Sequence, residues 1–264
     1  MSGAPERIAV GDGVEIAYRD EGSGEPLLLI HGITEDQRAW DSLAPLLARD
    51  ARVIRIDLPG HGASSPLPEY SAGAFTSAVA RFVTTLELGA PRVVGHSLGG
   101  LVATLLGAFT PVRSVVNIDQ PLRLGSFIEL VRALAPRLAG ASFCDAMNEE
   151  MEEMAGPRLT PALRDELRGY RVLERRPAVL GLWLPLVDQT EEHVLAVLEP
   201  LLARLRAPYL ALHGLDPGPG YEAWLRARIA GARVELWERQ GHWLHRLEPE
   251  RFALRVRAFH REHA

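Results

Sequence analysis

The run Gly95-His96-Ser97-Leu98-Gly99 leaves this chain little freedom. Arg92-Val-Val-Gly-His96 leads into it as a short apolar, β-branched strand. Leu98 to Phe109 leads out of it and is apolar all round, the pattern of a buried helix. A strand that becomes a helix across one serine must turn sharply. That turn holds Ser97 in a strained backbone conformation and leaves its hydroxyl exposed. The backbone closes on its neighbours two positions before and two after, where no bulky side chain fits. Gly95 and Gly99 meet that requirement, and Gly100 extends the clearance.

The rest of the chain repeats the strand-then-helix theme. Val14–Tyr18, Pro26–Ile30, Arg52–Asp57, Val112–Ile118, Pro208–His213 and Arg233–Trp237 read as strands. Ala39–Leu47, Ser71–Leu88, Tyr221–Ile229 and Pro249–His260 read as helices. Such alternation predicts an α/β fold: a mostly parallel sheet with helices on both faces. From about Gln120 to Arg206 the strand signal stops. Prolines punctuate helices expected at Phe127–Ala135, Asp145–Met154, Ala162–Leu173, Ala178–Leu184 and Thr190–Leu205, the last with a kink at Pro200. The expected organisation is therefore a core of residues 1–120 and 205–264, with residues 121–204 as a helical cap. Met147, Met151 and Met154 follow helical spacing and read first as packing residues, with lining of an apolar pocket as the alternative.

Four motifs in order, each after an expected strand, resemble the α/β-hydrolase superfamily, in its serine hydrolase branch with a helical cap. They are His31-Gly32 with Trp40 following, Asp57-Leu-Pro-Gly-His-Gly-Ala-Ser64, the Ser97 turn, and Gly241-His242 with Glu248-Pro-Glu-Arg-Phe252 beyond it. The resemblance implies the α/β-hydrolase fold, with the cap inserted after strand six. A serine hydroxyl is a weak nucleophile and needs a base in contact. His242, in a loop after the last strand, is the candidate. The resemblance also implies two backbone N–H groups for a developing oxyanion, those of Ile33 and Leu98. The base needs a carboxylate to orient it, and the fold's chain order is serine, acid, histidine. Asp216 is preferred, in the loop after Pro208–His213. Yet Gly214-Leu215-Asp216 is one residue shorter than the family's usual Gly-x-x-Asp, so Asp119, just after Val112–Ile118, stands as the alternative acid.

Composition removes other chemistries. All 29 basic residues are arginine. Without lysine there is no Schiff base, no phosphate-loop lysine and no Ser-Lys dyad. Arginine stays charged and cannot act as the base. Histidine is left, and activity is expected to rise with pH on a single limb. Net charge is −5, which does not suit a nucleic-acid binder. The single Cys144 can form no internal disulfide. The first residues lack a basic region before an apolar run, and no apolar stretch is long enough for a membrane helix, so the expectation is a cytoplasmic protein with no membrane partner. No metal, nucleotide or flavin site is read. His245 follows His242 at metal-pair spacing, but no third ligand accompanies it. The expected reaction is cleavage of a carboxylic ester, lactone or thioester of a small, partly apolar substrate through an acyl-enzyme. The same three residues also serve C–C bond hydrolases, lyases and cofactor-free perhydrolases, and a slow-turnover ligand receptor is a further alternative. Residues 121–204 hold 10 Arg against 13 Asp plus Glu, so no basic excess marks an anionic ligand. Oligomeric state is not legible.

Overall fold

The computed structural model describes residues 4–170 and 172–263. Eight strands form one sheet: β1 (Glu6–Ala9), β2 (Glu15–Gly22), β3 (Pro26–Ile30), β4 (Arg52–Ile56), β5 (Arg92–His96), β6 (Ser114–Ile118), β7 (Tyr209–His213) and β8 (Arg233–Leu236). Their order across the sheet is β1-β2-β4-β3-β5-β6-β7-β8. β2 runs antiparallel to both β1 and β4, and every pairing from β4 to β8 is parallel.

The apolar runs follow from burial on both faces. Leu28, Ile30, Val93 and Val115 point to one side, against α2 (Ala72–Thr85) and α3 (Leu98–Phe109). Leu27, Leu29, Val94 and Val116 point to the other, against α1 (Ala44–Leu47) and a long C-terminal helix, Pro249–Glu262. Between β6 and β7 the chain forms α4 (Gly125–Ala139), α5 (Phe143–Met154), α6 (Pro161–Arg168), α7 (Arg176–Trp183) and α8 (Glu191–Leu202). These helices pack on the α3 side of the sheet. After β7 come α9 (Tyr221–Arg226), α10 (Leu244–Leu247) and α11, the C-terminal helix already named. No helix among the described residues is long and apolar enough to cross a membrane.

Local differences from expectation have local causes. β1 has no apolar alternation because it is a four-residue edge strand, mostly exposed. Ala39–Leu47 is not one helix. A 3-10 turn spans Gln37–Trp40, and Pro45 then opens α1. α4 carries Pro136 and continues to Ala139, past the expected end at Ala135. The helix expected over Ala162–Leu173 stops at Arg168, and a 3-10 turn follows at Val172–Arg175. Arg171, within that expected helix, lies outside the described residues.

A partly buried imidazole adds to the pH dependence of the fold, alongside fully buried ones such as His61. His260 of α11 has an Nε2 with no partner, and burial beside the Arg92 guanidinium pushes its pKa down to about 3. Folded, it stays neutral; unfolded, it takes a proton below roughly 6.5. Its share of stability is therefore present above that value and is lost as pH falls toward 3. At pH 5.5 the loss is about 1 kcal/mol. Thermal melts at pH 7.5 and 5.5 should show a smaller acid-side drop for His260→Leu than for the parent; equal drops would mean the group is already protonated when folded.

Candidate active site

Ser97 sits where β5 turns into α3, at φ 52° and ψ −122°. An L-residue with positive φ is strained, and the surroundings must hold it there. Its N–H donates to the Ile118 carbonyl of β6 at 2.9 Å. A Cβ on Gly95 would lie 2.0 Å from the Gly99 carbonyl oxygen, and one on Gly99 would lie 2.1 Å from that of Ile30. The two glycines are thus required by the close approach of backbones on either side of Ser97. Leu98 opens α3, so its N–H has no carbonyl one turn back, and the helix N-terminus favours negative charge.

The loop after β3 is fixed by histidines. His31 Nε2 accepts from the Leu58 N–H at 2.9 Å, which places the ring proton on Nδ1. Nδ1 then donates to the Gly32 carbonyl at 2.7 Å, and the Glu35 N–H donates to the same oxygen at 3.1 Å. In a trans peptide the C=O and the following N–H point opposite ways. Anchoring the Gly32 oxygen therefore orients the Ile33 N–H away from it. Ile33, Leu98, Ser97 and His242 all line one cavity.

The carboxylate at His242 belongs to Asp119. His242 Nδ1 and Asp119 Oδ2 are 2.6 Å apart. Asp119 follows β6, at φ 51°. Its other oxygen accepts from the N–H groups of Gly214 and Leu215 at 2.7 and 3.1 Å. Burial alone would raise its pKa; the imidazoles of His213 and His242 outweigh it and hold the carboxyl well below the usual range. His213 Nδ1 lies 3.7 Å from Oδ1, beyond ordinary hydrogen-bond length.

Asp216, the acid preferred on sequence grounds, is not the partner of His242. It is exposed, and its Oδ1 accepts from the Gly218 N–H at 2.9 Å within the proline-rich loop. The shortened spacing is the physical reason. The loop after β7 closes its first two amides onto Asp119, and Asp216, at the exposed edge of the same cavity, braces the Pro217-Gly218 turn. The His242 loop is equally confined. A Cβ on Gly214 would meet the Gly241 carbonyl oxygen at 2.0 Å, and the His242 N–H donates to Met154 at the end of α5 at 2.9 Å.

Sequence reasoning passed over Glu35, which is fully buried below this loop. Its Oε2 takes the Gly32 N–H at 3.0 Å and lies 2.8 Å from His96 Nδ1. Its Oε1 takes Trp243 Nε1 at 3.0 Å, with Arg246 Nη1 at 3.4 Å. His96 Nε2 in turn donates to the His242 carbonyl at 2.9 Å. One carboxylate therefore ties together the loop after β3, the residue before Ser97 and the segment after His242. Burial opposes its ionisation; His96 and Arg246 outweigh that and hold it well below the usual carboxylate range. His245 packs its ring 4.5 Å from that of His96 and 5.0 Å from Trp40, rather than forming a metal pair with His242.

The cavity over Ser97 measures about 1190 Å³. Thr34, Phe127, Met147, Met154 and Trp183 line it, whereas Phe143 is buried elsewhere in the packing. The methionine stripe thus does both jobs weighed from its spacing. Glu150 also lines the cavity, and burial raises its pKa. Its signal was present but faint: it shares a helix face with Met147 and Met154, an odd place for a carboxylate.

A family model described as "Alpha/beta hydrolase family" matches residues 27–255. A "Serine hydrolase-like protein" of Danio rerio is 39% identical over 101 residues, covering 36% of this chain and 31% of that protein. The "(E)-2-((N-methylformamido)methylene)succinate hydrolase" of Acinetobacter baylyi is 35% identical over 95 residues, covering 36% of each. The chain thus spans about a third of the length of these curated relatives. A solved structure titled as a hydrolase from Pseudomonas aeruginosa PA01 superposes with a TM-score of 0.80 at 25% identity, covering 98% of this chain and 99% of that one.

Proposed function

The chain belongs to the alpha/beta hydrolase family, and from that premise we propose that it is a serine hydrolase of carboxylic esters, lactones or thioesters with an apolar portion. The observation that carries this reading is the Asp119–His242 hydrogen bond at 2.6 Å, with His242 and the strained Ser97 lining one cavity. A carboxylate on Nδ1 fixes the imidazole with its free Nε2 as the base. Nε2 takes the Ser97 proton while Oγ bonds to the acyl carbon. The resulting oxyanion is met by the N–H groups of Ile33 and Leu98. The C–O or C–S bond to the leaving group then breaks, and the leaving group departs with the proton held on Nε2. Water, deprotonated by the same nitrogen, cleaves the acyl-enzyme and releases the acid. Asp119 stays ionised throughout, a state that its two amide donors at Gly214 and Leu215 favour.

Nitrophenyl esters of two to eight carbons test the reading. The parent should turn them over, and Ser97→Ala and His242→Ala should each lose about 10⁴-fold or more in kcat. A parent inert on the whole panel, or a Ser97→Ala protein at full rate, would overturn it.

A further inference from the structure

The cavity is longer than the chemistry at Ser97 needs. Leu101, Leu105 and Phe109 line it at four-residue spacing, so they form one stripe down α3, starting one turn beyond Ser97. Twelve residues of helix carry that stripe about 18 Å from the serine. Val197 and Leu201 of α8 line the same cavity, and Ala80 lines it from α2, where a small side chain leaves width. At the far end Phe109 is 54% and Val197 70% exposed, so the cavity opens to water there between two large apolar side chains. The Arg204 guanidinium lies over one face of Phe109 at 5.0 Å, and the apolar surface left open, continuous with the cavity over Ser97, marks a seat for an apolar occupant.

We propose that this trough seats the linear acyl chain of the substrate, so that esters or thioesters of unbranched acids of about 8–12 carbons are the preferred class. The proposal rests on the serine hydrolase reading above. It adds the direction in which the acyl group lies and the chain length that fits. The ester carbonyl sits at Ser97 and the methylenes run along α3, so that an eight-carbon chain ends between Leu101 and Leu105 and a twelve-carbon chain ends past Leu105, toward Phe109 and Val197. A straight chain fills a trough walled by successive turns of one helix, whereas a compact or branched acid leaves most of it wet.

The test is a series of nitrophenyl esters from acetate to dodecanoate, with calorimetric binding of free decanoate to Ser97→Ala. Each buried methylene should raise kcat/KM about two- to fourfold, giving roughly 100-fold or more from acetate to decanoate. Leu105→Trp should cut the decanoate-to-acetate ratio at least tenfold. Val197→Asp, at an exposed position that puts no strain on the core, should lower the dodecanoate-to-butyrate ratio and so covers the case in which Leu105→Trp does not fold. Hydrolysis of acetate with a flat or falling chain-length profile would overturn the trough and leave the hydrolase reading standing. Decanoate binding with no ester hydrolysed would do the reverse. A flat profile with a dimer that Val197→Asp splits would assign the exposed end to a second copy of the chain and overturn the proposal.

Discussion

Asp119→Asn is expected to lower kcat by about 10⁴-fold, and Asp216→Asn by less than tenfold. The contrast is large because the two carboxylates sit in different worlds. Asp119 accepts from two backbone amides and faces His242 Nδ1 at 2.6 Å. An asparagine there keeps the oxygen that the amides need and turns its NH₂ toward Nδ1. Imidazole then presents a lone pair to that NH₂, its proton moves to Nε2, and Nε2 can no longer accept from Ser97. Folding should survive, since the amide contacts remain, so melts of Asp119→Asn near those of the parent would confirm that the loss is chemical. Asp216 only braces its own turn, through Gly218 N–H at 2.9 Å. A large loss in Asp216→Asn with Asp119→Asn near the parent rate would reverse the assignment.

How far the sequence reveals such a site depends on which kind of constraint each residue satisfies. Ser97 was legible because a strand, a helix and two glycines at fixed offsets admit one backbone geometry, and that geometry is local. The place of His242 at the cavity was legible from its loop and from the family motif. The carboxylate paired with it was harder. Its identity turns on whether the loop after β7 presents a side chain or wraps its amides around one arriving from β6. That is a tertiary choice, visible in the sequence only as one missing residue between Gly214 and Asp216. The sheet and the helices between β6 and β7 were legible from periodicity, which reports burial directly. Their ends were not, because Pro136 interrupts α4 without stopping it. β1 was missed because an exposed edge strand has no buried face to mark it. Glu35 left the least trace. A buried charge is defined by its partners, and apart from Gly32 in its own loop those come from two distant stretches of chain.

Glu35→Ala should destabilise the protein by about 3–5 kcal/mol, the cost of stranding a buried charge. The side chain is inaccessible to water, and its two oxygens serve Gly32 N–H, His96, Trp243 Nε1 and Arg246. Alanine leaves the Trp243 and Gly32 donors without a partner. It also leaves the mostly buried Arg246 guanidinium with no buried carboxylate, only the Tyr170 hydroxyl at 3.4 Å and the exposed Glu166. Glutamine should cost less. Its oxygen can still serve Trp243 and Arg246, but its NH₂ must then face the Gly32 N–H. The pH dependence carries a sign. Because the folded pKa of Glu35 is depressed, its contribution is present above the unfolded value of roughly 4.3 and is lost as pH falls below it. Urea unfolding of Glu35→Ala should therefore show both lower stability at pH 7 and a shallower acid-side decline. Unfolding within 1 kcal/mol of the parent would mean that the cluster is not held together by this carboxylate. The double variant Glu35→Ala, Arg246→Ala sharpens the point. If the single loss comes mainly from a stranded cation, removing Arg246 as well should recover part of it, and the two changes will be strongly non-additive.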